Sequence, residues 1–200
     1  MISGTASPGA DVTVSGGGSS CLVTAHASTG AWSCSLSPAV ADGSLSVSAT
    51  EDDSAGNTSP ASNVVTLIVD TSAPSAPSGL TLNDPSSSPS NDTTPQISVA
   101  GVTTGDTLEL FTDASCTTSA SSSETVASDP QLITANALTA DGTVTYYAQA
   151  SDAAGNSTCS TTTVSYELDT SAPTMAITGP AAGSFINNAS KSTFGVSGTC

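Results

Sequence analysis

The side chains that could carry chemistry in this chain are 17 acidic residues, five cysteines and one histidine. The carboxylates recur in fixed company. Asp-x-Ala-Gly-Asn stands at Asp53–Asn57 and again at Asp152–Asn156. Asp-Thr-Ser-Ala-Pro stands at Asp70–Pro74 and at Asp169–Pro173, and Ala-Asp-Gly at Ala41–Gly43 and Ala140–Gly142. Oxygen-rich clusters of this kind suit a hard divalent cation, which takes six to eight oxygen ligands. One expectation is therefore a Ca²⁺ site where repeats meet, with Asp42 and Asp70 facing Asp106 and Asp152. Asp141 and Asp169 would do the same at a second junction. The other reading of the same loops is a plain turn: glycine supplies a positive φ, and Asp and Asn bond the nearby backbone. The spacing is not that of an EF-hand.

Catalysis has little to work with. His26 is the one histidine, placed by its neighbours at a solvated hairpin tip, and nucleophilic chemistry needs a base within hydrogen-bond reach. Paired carboxylates could serve hydrolysis, but these recur with the repeat and sit at turns, which speaks for architecture. Gly16-Gly17-Gly18 lacks the lysine of a phosphate loop and reads as a turn between strands. The expectation is a chain that is not an enzyme and has no organic cofactor.

The cysteines read as staples. A hairpin turning near Ala27-Ser28 would set Cys21 opposite Cys34 and Val23 opposite Trp32. Cys116 and Cys159 are the one pair in the next repeat, expected to bridge two loops. Cys200 is left over, with its partner expected beyond the sequence. The alternative of zinc ligation or free thiols has no C-x₂-C spacing and no second histidine behind it. Disulfides imply an oxidising compartment.

These residues must be positioned by something, and the repeat says what. Asp53 recurs as Asp152, Asp70 as Asp169 and Asp42 as Asp141, all 99 positions on. That period suits an antiparallel β-sandwich of immunoglobulin size and exceeds helical or leucine-rich repeats. Near the ends, Ile2-Ser3-Gly4-Thr5-Ala6 resembles Val196-Ser197-Gly198-Thr199-Cys200. The expected organisation is residues 1–70 as a repeat without its first strand, 71–170 as a complete repeat, and 171–200 as the start of a third.

In the complete repeat, period-two alternation predicts strands over Gly79–Asn83, Gln96–Ala100, Thr107–Thr112, Ser123–Ser128, Gln131–Asn136, Val144–Ser151 and Thr161–Asp169. Core positions should repeat in phase, with Val65, Leu67 and Val69 answering to Val164, Tyr166 and Leu168. The prolines of the two Asp-Thr-Ser-Ala-Pro linkers should hold them extended and the repeats end to end.

Composition bounds the partners. One lysine against 17 acids leaves a net charge of −16. Such a chain repels phosphate backbones and anionic membrane surfaces. Charged residues are only 9% and apolar ones 36%, so the acidity is not that of a disordered tail. The apolar run Val64–Val69 is too short to span a bilayer. Met1 is not followed by a signal peptide, so an export signal is expected upstream. The four Asn-x-Ser/Thr sites at Asn57, Asn91, Asn156 and Asn188 are what chance gives in a chain so rich in Ser and Thr.

At the repeated Asp-x-Ala-Gly-Asn followed by Asp-Thr-Ser-Ala-Pro, the chain resembles bacterial Ig-like repeats of large secreted surface adhesins, including RTX-type ones. The stretches Gly4–Val14, Gly30–Ser33 and Leu45–Thr50 fit the same family. The resemblance implies a secreted, non-catalytic stalk at the bacterial cell surface, often rigidified by calcium. Its partners would be neighbouring repeats of the same chain, and a host or surface receptor or glycan bound through other domains. The family also supplies spacer or binding modules of secreted hydrolases, which is the alternative. Asp52-Asp53 doubles the acidic position of the first loop, and the disulfides replace some apolar core.

Overall fold

A computed structural model describes residues 1–179, 181–185 and 195–199. The described residues form strands and turns, with no helix. In chain order the strands are β1 (Ile2–Thr5), β2 (Asp11–Gly16), β3 (Ser19–Thr24), β4 (Ala31–Cys34), β5 (Gly43–Asp52) and β6 (Val65–Val69). Then follow β7 (Gly79–Asp84), β8 (Gln96–Ala100), β9 (Thr107–Phe111), β10 (Glu124–Thr125), β11 (Gln131–Thr134), β12 (Gly142–Ser151), β13 (Ser157–Cys159) and β14 (Val164–Leu168). The last two are β15 (Ala176–Gly179) and β16 (Ser197–Thr199).

Residues 71–170 build an Ig-like sandwich. One sheet has the order β11-β8-β7; the other has the order β10-β9-β12-β13, with β14 also on β12. The core lies between them. Ile97 and Val99 on β8 face Leu108 and Leu110 on β9, with Ile133, Tyr146, Ala148 and Tyr166 completing a buried cluster. The alternation along β12 explains its place: Tyr146, Ala148 and Ala150 are buried while their neighbours are not. The connection from β7 to β8 lies along β14, where Ser90 N donates to Glu167 O and Asp169 N donates to Ser90 O. Tyr166 Oη donates to Asp92 O at 2.5 Å, tying that connection to the core.

The expected last strand, Thr161–Asp169, is found as β14, and a short strand that was not expected, β13, precedes it. β14 pairs with the first half of β12, from Gly142 to Tyr146, and β13 with the far end, from Gln149 to Ser151. Between them the ladder is completed by a side chain: Ala148 N donates to Ser160 Oγ at 3.0 Å, and Ser160 N donates to Ala148 O. A strand of three residues such as β13 is too short for alternation to show. The fourth expected strand, Ser123–Ser128, shortens to Glu124–Thr125 at the sheet edge.

Residues 1–70 repeat the scheme with one sheet of order β3-β2-β5-β6 and one of β1-β4. Gly17 and Gly18, at φ of 61° and 80°, make the two-residue turn from β2 to β3, a conformation that favours glycine at both positions. The sheet equivalent to β11-β8-β7 has only two strands here. Among the described residues nothing pairs with the outer edge of β1. The core expectation fails in consequence. Leu67 is 40% exposed and Val65 47%, whereas Tyr166, the counterpart of Leu67, is fully buried. β6 has the right residues, but among the described residues no strand covers them.

Candidate functional site

The recurring carboxylates converge on the linkers, and they do so through hydrogen bonds. Asp42 precedes the Gly43 that opens β5. Its Oδ1 accepts from Thr71 N at 3.1 Å and Thr71 Oγ1 at 2.8 Å, and its Oδ2 accepts from Ser72 Oγ at 2.9 Å. Asp141 does the same at the second linker. Its Oδ1 accepts from Thr170 N at 3.0 Å and Thr170 Oγ1 at 2.7 Å, and its Oδ2 accepts from Ser171 Oγ at 2.9 Å. Asp70 and Asp169 turn the chain locally, each accepting on Oδ1 from the N–H two residues on, at 3.0 Å. The Asp-Thr-Ser segment is therefore a clasp: one aspartate bends it and a second, from the turn before the long strand, grips its hydroxyls.

Donors that favour the charged carboxylate hold its pKa down. Asp42 lies below its ordinary value chiefly through the Thr71 hydroxyl, then Ser72 and the Thr71 amide. Asp141 is lowered chiefly by the Thr170 hydroxyl, then the Thr170 amide and Ser171.

The Asp-x-Ala-Gly-Asn loops are closed turns. Asp152 Oδ1 accepts from Ala154 N and Asn156 N, and Oδ2 accepts from Asn156 Nδ2 at 2.9 Å. Gly155 sits at φ 91°, where a side chain would be strained. Asp53 makes the same bonds with Ala55 and Asn57. Asn156 adds one bond that leaves the loop: its Nδ2 donates to Asp70 O at 3.1 Å, 86 residues away. The loop of the second repeat thus touches the residue that ends the first, and the two recurring motifs are two halves of one junction.

As a metal site, the six aspartates are not gathered. Among the described residues no group of three or more His, Cys, Asp or Glu is close enough to hold an ion. Asp42 and Asp141 spend their oxygens on the linker, and Asp152 spends its own on its turn. Asp106 is brought into the fold by its backbone, through Thr103 O and Val126 N. The sequence singled out Asp42 and Asp141 as cation ligands; in the structure they accept from Thr71 and Ser72 and from Thr170 and Ser171. The signal was present: Ala-Asp-Gly and Asp-Thr-Ser recur with the same separation of 29 residues between gripping and gripped positions.

Both expected cysteine pairs form disulfides, with Cα atoms 6.2 Å apart for Cys21–Cys34 and 6.1 Å for Cys116–Cys159. The hairpin argument for the first pair does not hold. Cys21 lies on β3, which pairs with β2, whereas Cys34 lies on β4, which pairs with β1. The bond crosses between sheets, and Val23 and Trp32 pack on the small core of Val12 and Val14 from opposite strands. In the second pair only Cys116 is in a loop; Cys159 ends β13, opposite Gln149. Asp113 orders that loop, accepting from Ser115, Thr117 and Thr118 amides. Cys200 lies outside the described residues. His26 is an exposed turn residue whose Nδ1 meets the Ser28 hydroxyl at 3.1 Å.

No helix among the described residues is long and apolar enough to cross a membrane. No curated protein matches the chain. Two solved structures resemble it at a distance. One is from work on host cell surface retention of a 1.5-MDa bacterial ice-binding adhesin, 27% identical with a TM-score of 0.39, covering 83% of this chain and 55% of that one. The other is a tetra-tandem repeat in the extending region of a large adhesion protein, 22% identical with a TM-score of 0.33, covering 88% and 45%. The chain therefore spans about half the length of the solved chains it matches. The model of the bacterial Ig-like domain family matches residues 1–71. With the Ig-like sandwich geometry and the repeated junction motifs, this identifies residues 1–71 as a member of the bacterial Ig-like domain family.

Proposed function

We propose that the chain is a non-catalytic spacer from the stalk of a bacterial extracellular adhesin, built of end-to-end Ig-like repeats with boundaries near Asp70 and Asp169. The observation that carries this is the clasp. The same three hydrogen bonds, donated by the linker to one aspartate, hold the linker at both junctions, and Asn156 adds a bond across the first. A device repeated in register at every linker is what a chain needs when its work is to carry orientation along its length. Disulfides in each of the first two repeats suit a protein outside the cell. A net charge of −16 suits one that must stay extended and soluble.

Small-angle scattering tests the reading on the intact chain. The expected result is an elongated particle whose maximum dimension becomes less well defined in the double variant Asp42→Ala with Asn156→Ala. Two repeats packed side by side, or hydrolysis of a polymer substrate by the purified chain, would defeat it. Calcium enters the proposal as a second way of stiffening the same junction. An ion would have to draw Asp42, Asp70, Asp106 and Asp152 together and displace the Thr71 and Ser72 donors. Calorimetric titration with Ca²⁺ reads this directly: heat of binding together with a longer particle supports it, and no heat leaves the clasp to act alone.

A further inference from the structure

One aromatic pair of the second repeat lies outside its core. Phe111, at the end of β9, stands opposite Tyr147 of β12. Side chains alternate across a strand, and Tyr146 and Ala148 belong to the buried cluster between the sheets. Tyr147 and Phe111 therefore share the outer face. Phe111 is nonetheless only 6% exposed. The segment that follows it, Thr112–Thr118, carries Cys116, which is bonded to Cys159. Cys159 stands opposite Gln149, the next residue along that same face. The bond therefore draws the loop toward the face on which Phe111 lies. The first repeat shows what the sheet itself requires there. Ser48 precedes Tyr147 by 99 positions and stands opposite Ser15, and Gly17 and Gly18 alone join β2 to β3. Without the loop the two places hold serine; with it they hold aromatic rings.

The loop is built as a separate piece. Asp113 accepts from the Ser115 amide on Oδ1 at 3.0 Å, and from the Thr117 and Thr118 amides on Oδ2 at 3.1 and 2.6 Å. Its carbonyl accepts from Cys116 N, and Thr112 N donates to Thr118 O to close the neck. Among the described residues, no hydrogen bond of Asp113–Thr117 leaves the loop. Beyond the neck, one covalent bond and an apolar seat are what fasten it. Cys116 also holds φ at 49°, a left-handed conformation that is costly for any residue but glycine.

We propose that Thr112–Thr118 is a thiol-operated strap. With the Cys116–Cys159 bond intact it lies over Phe111 and Tyr147. With the bond reduced it swings about its neck and uncovers them, while the sandwich stays folded. The proposal does not rest on the stalk reading. The core does not depend on the strap, because neither Phe111 nor Cys116 is part of the cluster between the sheets. The reductant is a small dithiol. Its thiolate attacks one sulfur, the Cys116–Cys159 bond breaks and a mixed disulfide forms. Its second thiol then displaces the protein sulfur, and the reagent leaves as a cyclic disulfide. Two electrons and two protons have passed to Cys116 and Cys159, which are left as thiols.

Hydroxyl-radical footprinting of the full chain reads each ring by its own rate of labelling, and Tyr146 and Tyr166 in the core serve as controls. In Cys116→Ser with Cys159→Ser, where Cys21–Cys34 is intact, labelling of Phe111 and Tyr147 should rise several-fold while Tyr146 and Tyr166 keep their rates. The unaltered chain, reduced with dithiol and freed of it under argon, should match the variant at Phe111 and Tyr147. Phe111→Ser removes the seat and keeps the latch, so it should lower several-fold the dithiol concentration that half-reduces Cys116–Cys159. The proposal is overturned if Phe111 stays protected in the double variant, because packing alone then holds the loop. It is overturned equally if all three tyrosines rise together, because the sandwich then opens and not the strap. Half-reduction of Phe111→Ser at the unaltered chain's concentration would also overturn it, since the loop would then have no seat on that ring.

Discussion

Leu67 and Tyr166 stand at the same place in two copies of one fold, and only one of them is in a core. The strands around them match: β5 and β12 have the same ten-residue length, and each pairs its first half with one neighbour and its second half with another. The difference is β7 and the connection behind it. With β7 present, Leu80, Ile97, Val99, Tyr166 and ten further residues form one buried cluster. In the first repeat, where among the described residues no strand pairs with the outer edge of β1, the buried cluster shrinks to Val12, Val14 and Ala25, and Ala10, Leu45 and Val47 are buried apart from it. A sandwich buries its inner face only when both layers are wide enough to cover it, and one strand decides that here.

The contrast can be broken most forcefully by truncation. Tyr166→Ala should cost the second repeat about 3–5 kcal/mol, as large aromatic truncations in closed cores do. The equivalent Leu67→Ala should cost the first repeat less than about 1 kcal/mol, in line with its exposure. Denaturant unfolding followed by hydrogen exchange, which reads the repeats separately, checks both. Comparable losses would mean that the first repeat is closed in solution.

The disulfides come next. Replacing Cys116 and Cys159 by Ser opens a loop of 43 residues, and replacing Cys21 and Cys34 opens one of 13. Chain entropy puts these at about 4 and about 3 kcal/mol. Because its core is smaller, the first repeat should nevertheless be the one that unfolds when the protein is reduced, detectable by Trp32 emission during thermal melting.

How much of this was legible depends on the range over which each residue acts. The 99-residue register, the alternation along β12 and the disulfide partners are written in local spacing and in pairing by elimination. The exposure of Leu67 is not, because it depends on a strand of the other sheet. The junction lies between these cases. Asp42 and Asp70 stood out by recurrence, but a carboxylate placed to bind an ion and one placed to bind Thr71 look alike in sequence. Only the geometry of Thr71 and Ser72 distinguishes them.

Subtler tests sharpen the comparison at the linkers, where the two repeats agree. The carboxyl groups of Asp42 and Asp141 both lie below their ordinary 3.8 in the folded chain. A lowered folded pKa means that each clasp contributes fully above 3.8 and is lost as pH falls through the lowered value. Protection of the Thr71 and Thr170 amides, measured against their intrinsic exchange rates, should therefore be high near neutrality and fall together in strong acid. Asp42→Asn should release Thr71 alone, leaving Thr170 protected.

The smallest effect is expected at Tyr146. Burial, helped by neighbouring Tyr166, pushes its phenol up to about 12, and among the described residues its buried hydroxyl has no hydrogen-bond partner. Removing an unsatisfied polar group is close to neutral or favourable, so Tyr146→Phe should shift stability by less than about 0.5 kcal/mol or raise it. Tyr166→Phe, which loses the bond to Asp92 O, should cost about 1 kcal/mol by the same denaturant assay.

The Cys116–Cys159 bond also sets how far the molecule can lengthen under tension. A pull applied through the linkers at Asp70–Pro74 and Asp169–Pro173 reaches the disulfide before it reaches the residues inside the loop. The 43-residue span is then withheld from stretching even after the sandwich has come apart. At full extension that withheld length is roughly 150 Å, against roughly 45 Å for the 13-residue span of the first repeat. Oxidised and reduced chains should therefore show different rupture steps in a force spectrometer, with the redox state of one bond acting as a limiter on recoil.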